Sequence, residues 1–188
     1  MGQYYKPAIL QKGHGRFKIL AWAYAHAFGS GLKLTEHSWV GNNFVALIEN
    51  HLFRNPQRLV WAGDYADHEK GSKSNIYDKC NNVEQRKLTS TQMPKHKRHL
   101  RYIINHTKKE FVDLTHLVPT KFTSGGKETI WHMHPMSLLT AEGNGQGGGD
   151  YWGQDEKKVG IWARDVISTD TTIQKFKDYK EIKVNFHE

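Results

Sequence analysis

The chain of 188 residues has one cysteine, five prolines and no long apolar run. A single cysteine excludes an internal disulfide and a cysteine-built zinc site, and it fits a reducing compartment. No stretch approaches the roughly 18 apolar residues of a membrane span. The start, Met1-Gly2-Gln3-Tyr4-Tyr5-Lys6-Pro7, lacks the charged-then-apolar order of a secretory signal. These absences lead to an expectation of a cytoplasmic protein with no membrane partner. Aromatic residues, at 12%, are too many for a wholly disordered chain. The length suits one domain over 1–188.

Acidic residues are outnumbered, 19 against 27 Lys and Arg, for a formal net charge of +8. The excess is local. Lys70 to Arg101 holds nine basic and two acidic residues, a surplus of seven, so the other 156 residues carry only one. Residues 70–92 are polar with few periodic apolar positions, which predicts a basic inserted loop at about 66–100. Its densest part contains Lys95, Lys97, Arg98 and Arg101. Such a run can contact phosphates or an acidic partner, or it can simply be a solvated face.

The remaining pattern predicts an α+β domain on a mainly antiparallel sheet. Runs 4–10 and 16–24 flank Lys12-Gly13-His14-Gly15 and predict a hairpin. Phe44, Leu47, Ile48, His51 and Leu52 follow helical spacing, predicting one principal helix over about 38–54, capped by Thr35 or Ser38 and stopped at Asn55-Pro56. Strands are predicted at 58–62, 159–167 and 182–186, and a second hairpin at 101–114.

Three groups of residues could carry chemistry. Gly143 to Tyr151 has five glycines within seven residues. Backbone of that kind can approach a ligand closely and offer N–H groups to an anion. It is neither a Walker loop nor a dinucleotide fingerprint. Trp131-His132-Met133-His134 places two imidazoles on one face of an extended segment. With Asp64 or Asp150 they could reach a metal, but the spacing specifies none, and no metal or cofactor is assigned. Glu36-His37-Ser38 could do acid–base work or form a capping turn.

The start Met1-Gly2-Gln3-Tyr4-Tyr5, the blocks Leu32 to Trp39, Trp61-Ala62-Gly63-Asp64-Tyr65, Asn105 to Lys109 and Pro135 to Tyr151, and Val159 to Ala163 resemble a family of small, largely uncharacterised proteins met in phages and gut bacteria. The resemblance implies no established activity. It implies a phage or mobile-element setting and an insertion at the basic segment.

Together these readings favour a binding protein for a small phosphorylated ligand, a nucleotide or nucleotide-derived signal. In a phage it would sequester a host immune signal in the host cytoplasm. The candidate binding residues are Gly145, Gly147, Gly148, Asp150, Tyr151, Trp152, Asp64, Tyr65, His37, His132 and His134. Two alternatives stand beside it. One is a nucleic-acid or host-protein inhibitor acting through Lys95, Lys97, Arg98 and Arg101. The other is a phosphoester hydrolase using His37, Asp64, His132, His134 and Asp150.

Overall fold

A computed structural model describes residues 3–94, 99–124, 126–143 and 153–186. Its centre is an α+β fold with a mainly antiparallel sheet. The sheet strands are β1 (Tyr5–Lys12), β2 (Phe17–Trp22), β3 (Gln57–Gly63), β4 (Tyr102–Asn105), β5 (Glu110–Asp113), β8 (Ala141–Glu142), β9 (Val166–Asp170) and β10 (Lys180–Glu181). Their order is β10-β5-β4-β9-β3-β1-β2, with β8 also on β3. The strands β6 (Thr120–Ser124) and β7 (Lys127–Trp131) form a separate hairpin.

β3 organises the sheet. Along one edge it pairs with β1, from Tyr5 opposite Gly63 to Leu10 opposite Arg58. Its other edge is shared: β9 takes Gln57 and Arg58, and β8 takes Trp61 and Ala62. The sequence Leu59-Val60-Trp61-Ala62 is a continuous apolar run because both faces of this strand are covered. Leu59 and Trp61 join one core, and Val60 and Ala62 join the other.

The first core is covered by the helix α2 (Asn43–His51) through Phe44, Val45, Leu47 and Ile48. α2 starts later than helical spacing predicts. Ser38 and Val40 hydrogen-bond instead to the backbone of 132–134, and Gly41 has φ +91. The cap is therefore Asn42, whose Oδ1 accepts from the N–H groups of Phe44 and Val45, and not Thr35 or Ser38. A single turn, α1 (Leu34–His37), precedes it. The short helix α4 (Pro135–Leu139) is buried throughout and leads into β8.

The second core is closed by the basic segment. It holds the helix α3 (Ile76–Asn81), where a loop is expected from the charge pattern. Ile76 and Cys80, one helical turn apart, are fully buried against Ala8, Leu10, Trp22 and Val60. Lys6, on β1, is buried beneath α3. Its ammonium donates to Asn81 Oδ1 at 2.7 Å and lies 3.8 Å from the centre of the Tyr77 ring. Burial lowers the pKa of Lys6 and pushes the Cys80 thiol up to about 12. Native protein at pH 8 is therefore expected to resist alkylation at Cys80, while guanidinium-unfolded protein reacts. Rapid labelling of the native chain by iodoacetamide, followed by mass spectrometry, would show that α3 does not pack as described.

Two predicted strands differ. Residues 159–164 turn rather than extend, with Gly160 at φ +79 and Arg164 at φ +64, and β9 starts only at Val166. Residues 182–186 form no strand, although Val184 and Phe186 are buried in the first core. Among the described residues no helix is long and apolar enough to cross a membrane.

Candidate functional site: a basic cleft at the sheet edge

A cavity of about 590 Å³ opens where three segments meet. The first is the β1–β2 turn, contributing Lys12, Gly13, Gly15 and Arg16. Gly15 has φ +71, and Gly13 N–H donates to the Arg16 carbonyl at 2.9 Å, so the turn closes with both flanking cations at its mouth. The second is the stretch Asp67 to Lys70, with Lys79 from α3. The third is the end of β8, Glu142 and Gly143, with Arg164 behind it. Lys12, Arg16, Lys70 and Lys79 have no ion-pair partner among the described residues. Unpaired cations gathered around one cavity create a local positive potential that draws anions.

A second recess of about 360 Å³ shares Asp67 and His68 with the first and adds Asp64, Tyr65, Asn75 and Asp78. Asn75 shapes it. Its Nδ2 donates to the carbonyls of Asp64 and Ala66, both at 3.0 Å, and its Oδ1 accepts from Asp78 N–H at 2.9 Å. Asp64 Oδ1 accepts from Tyr4 N–H. The half-buried Tyr65 lines this recess and has no aromatic-ring or cation partner among the described residues.

Gly63 and Gly143 meet beneath this junction. A Cβ on Gly63 would lie 2.3 Å from Gln3 Nε2 and 2.8 Å from the Glu142 carbonyl; one on Gly143 would lie 2.6 Å from the same amide. Gln3 is buried, its Oε1 accepts from the Tyr5 hydroxyl, and its Nε2 has no hydrogen-bond partner among the described residues. The two glycines therefore let a side-chain amide wedge between the WAGDY block and the stem of the glycine-rich segment.

Of the residues singled out from sequence, Asp64 and Tyr65 line the second recess. Gly145, Gly147, Gly148, Asp150, Tyr151 and Trp152 lie outside the described residues, as do Lys95, Lys97 and Arg98. Gly143, where the glycine-rich segment begins, lies on the cleft wall. Arg101 is away from the cleft and pairs with Asp113 at 2.7 Å. Burial works against the Asp113 charge, but hydrogen bonds from Arg101 and Thr115 hold its carboxyl down at about 2. Other cations of the basic segment are also engaged locally, Lys87 with Glu84 and Arg86 with the Ile19 carbonyl.

Of the histidines, His68 lines the cleft, while His37, His132 and His134 do not. His37 is fully buried, and both ring nitrogens are used. Nδ1 lies 3.0 Å from the Gly31 carbonyl, so it carries the proton; Nε2 accepts from Trp61 Nε1 at 2.8 Å. Burial lowers its pKa to about 4. His134 is buried too. Its Nδ1 accepts from Met136 N–H, which leaves the proton on Nε2 to donate to Glu49 at 2.9 Å. Neither imidazole has a nitrogen left for a metal or a substrate proton. His132 is half-buried, with Nδ1 enclosed and without a hydrogen-bond partner among the described residues. Among the described residues no cluster of three or more His, Cys, Asp or Glu could hold a metal ion.

The cleft cations Lys12, Arg16, Lys70 and Lys79, and Arg164 among them, are absent from the sequence-derived candidates. The legible signal for the first two was the order Lys-Gly-His-Gly-Arg, a tight turn with a cation at each end. No protein-family model, curated protein or solved structure matches the chain.

Proposed function

We propose that the protein binds a small phosphorylated ligand, of nucleotide kind, in the basic cleft. The observation that carries this reading is the convergence of four unpaired cations from separate segments on one cavity of ligand size. Lys12 and Arg16 would hold phosphate from the turn, and Lys70 and Lys79 from the opposite wall. A base or other planar group would enter the adjoining recess and stack on Tyr65. Asp67 and His68 line both spaces and would meet the ligand at their junction. With His37 and His134 committed to the core, retention of the ligand suits this site better than its turnover. In the phage setting that the sequence resemblance implies, retention would sequester a host nucleotide signal.

The test is a thermal-shift panel on purified protein with pyrophosphate, AMP, ADP, ATP, GDP and cyclic dinucleotides. A ligand at about 100 times its Kd stabilises a fold by about 2.7 kcal/mol, so at least one of these should raise Tm by several degrees. No shift with any of them would remove the proposal.

A further inference from the structure

Arg164 is built into the cleft unlike its other cations. Its guanidinium contacts two carboxylates: Nε and Nη2 reach Glu142, both at 2.5 Å, while Nη1 reaches Glu69 at 3.2 Å and Nη2 also contacts Glu69. The side chains are mostly buried, 23% exposed for Arg164 and Glu142 and 13% for Glu69. The backbone is fixed as well. Arg164 stands at φ +64, its N–H donates to the Leu59 carbonyl at 2.8 Å, and its own carbonyl accepts from Arg58. It occupies the gap on the β3 edge between β9 and β8. A non-glycine residue in the left-handed region is held there by its surroundings.

Arg164 bridges two walls of the cleft. Glu69 belongs to the stretch that carries Lys70, and Glu142 precedes Gly143. Without Arg164, Glu69 and Glu142 would join Asp67 as unpaired carboxylates facing any anion entering beside Lys12, Arg16, Lys70 and Lys79. With Arg164, five cations and three carboxylates line the cleft, a surplus of two positive charges.

We propose that Arg164 is the positioning residue that sets the charge preference of the cleft: by holding Glu69 and Glu142 together and offsetting one of their two charges, it matches the site to a ligand carrying about two negative charges, a nucleoside monophosphate in preference to a triphosphate. This rests on the phosphorylated-ligand reading and deepens it. Because a ligand pairs with the local surplus, lowering the carboxylate count should favour the more highly charged ligand most.

The experiment is calorimetric titration of AMP, ADP and ATP, without divalent cations, into the wild-type chain and the variants Glu69→Gln, Arg164→Gln and Glu69→Gln/Glu142→Gln. Glu69→Gln keeps the Arg164–Glu142 pair and is the conservative arm if Arg164→Gln does not fold. The expected result is tighter binding in Glu69→Gln, with the ATP-to-AMP affinity ratio rising at least threefold, a further rise in the double variant, and at least tenfold weaker binding in Arg164→Gln if folded. A purely structural brace would weaken all three variants and leave the ratio unchanged, which would overturn the inference. If the wild-type chain binds none of the three, nor pyrophosphate, the phosphorylated-ligand reading itself fails and this inference fails with it. If the wild type binds and Glu69→Gln weakens it, only the role given to Arg164 fails.

Discussion

Replacing His37 by alanine is expected to destabilise the fold by about 3–5 kcal/mol, from the cavity left and from two buried groups losing their partners. The orphans are the Gly31 carbonyl and the Trp61 indole N–H, and the ring also packs edge-on against Phe44 at 5.1 Å. For a chain of this length the loss corresponds to a Tm about 10 °C lower. The pH dependence gives a second signature. Above pH 6.5 the imidazole is neutral in both folded and unfolded chains. As pH falls from 6.5 towards 4, the unfolded chain takes up a proton that the folded chain refuses, because burial holds the folded pKa at about 4. The wild type should therefore lose about 3 kcal/mol from this group across that interval, and no more below it. His37→Ala lacks that loss, so the stability gap between wild type and variant should narrow as the solution is acidified. Urea titrations at pH 7, 5.5 and 4 would measure it; a gap independent of pH would mean that His37 is not held neutral in the core.

The double substitution Lys12→Gln/Arg16→Gln should have the largest effect on binding with the least on folding. Both side chains are exposed at the β1–β2 turn, and neither has an ion-pair partner among the described residues to lose. A charge-assisted hydrogen bond is worth about 1.5–3 kcal/mol, so losing two should weaken a phosphorylated ligand about 100-fold or more. Tm without ligand should stay within a degree or two. Added salt should weaken the wild type more than the variant, since the screened charges are the ones removed. Unchanged affinity in the variant would move the binding site off this turn.

Much of the fold was legible because local chemistry agreed with the final pairing. The Gly13–Gly15 turn fixed the first hairpin, and the Leu59–Ala62 run fixed a central strand. The helix α3 was obscured because Ile76 and Cys80 are two apolar positions among lysines and asparagines, and only the second core shows what they pack against. The late start of α2 depends on backbone bonds from Ser38 and Val40 to 132–134, nearly a hundred residues away. No local pattern carries such a contact.

The site was legible in part. Asp64 and Tyr65 follow an apolar strand, and strand ends commonly face clefts. His37 and His134 are residue types that often do chemistry, yet their partners Trp61 and Glu49 make them core groups. A histidine's role depends on what its two nitrogens touch, and sequence separations of 24 and 85 residues hide that. The mostly apolar run Val159 to Ile167 predicts a strand through Arg164. Its left-handed backbone and its two carboxylates become visible only once β8 and β9 are placed on β3.

The most direct test of the central claim is a titration of ADP into ¹⁵N-labelled protein, followed by two-dimensional amide spectra. If the ligand enters the basic cleft, saturable shifts should concentrate at Gly13 to Arg16, at Asp64 to Lys70 and at Gly143, with Trp61 and the α2 amides unmoved. Shifts confined to residues far from this cleft, or none at millimolar ADP, would contradict the account.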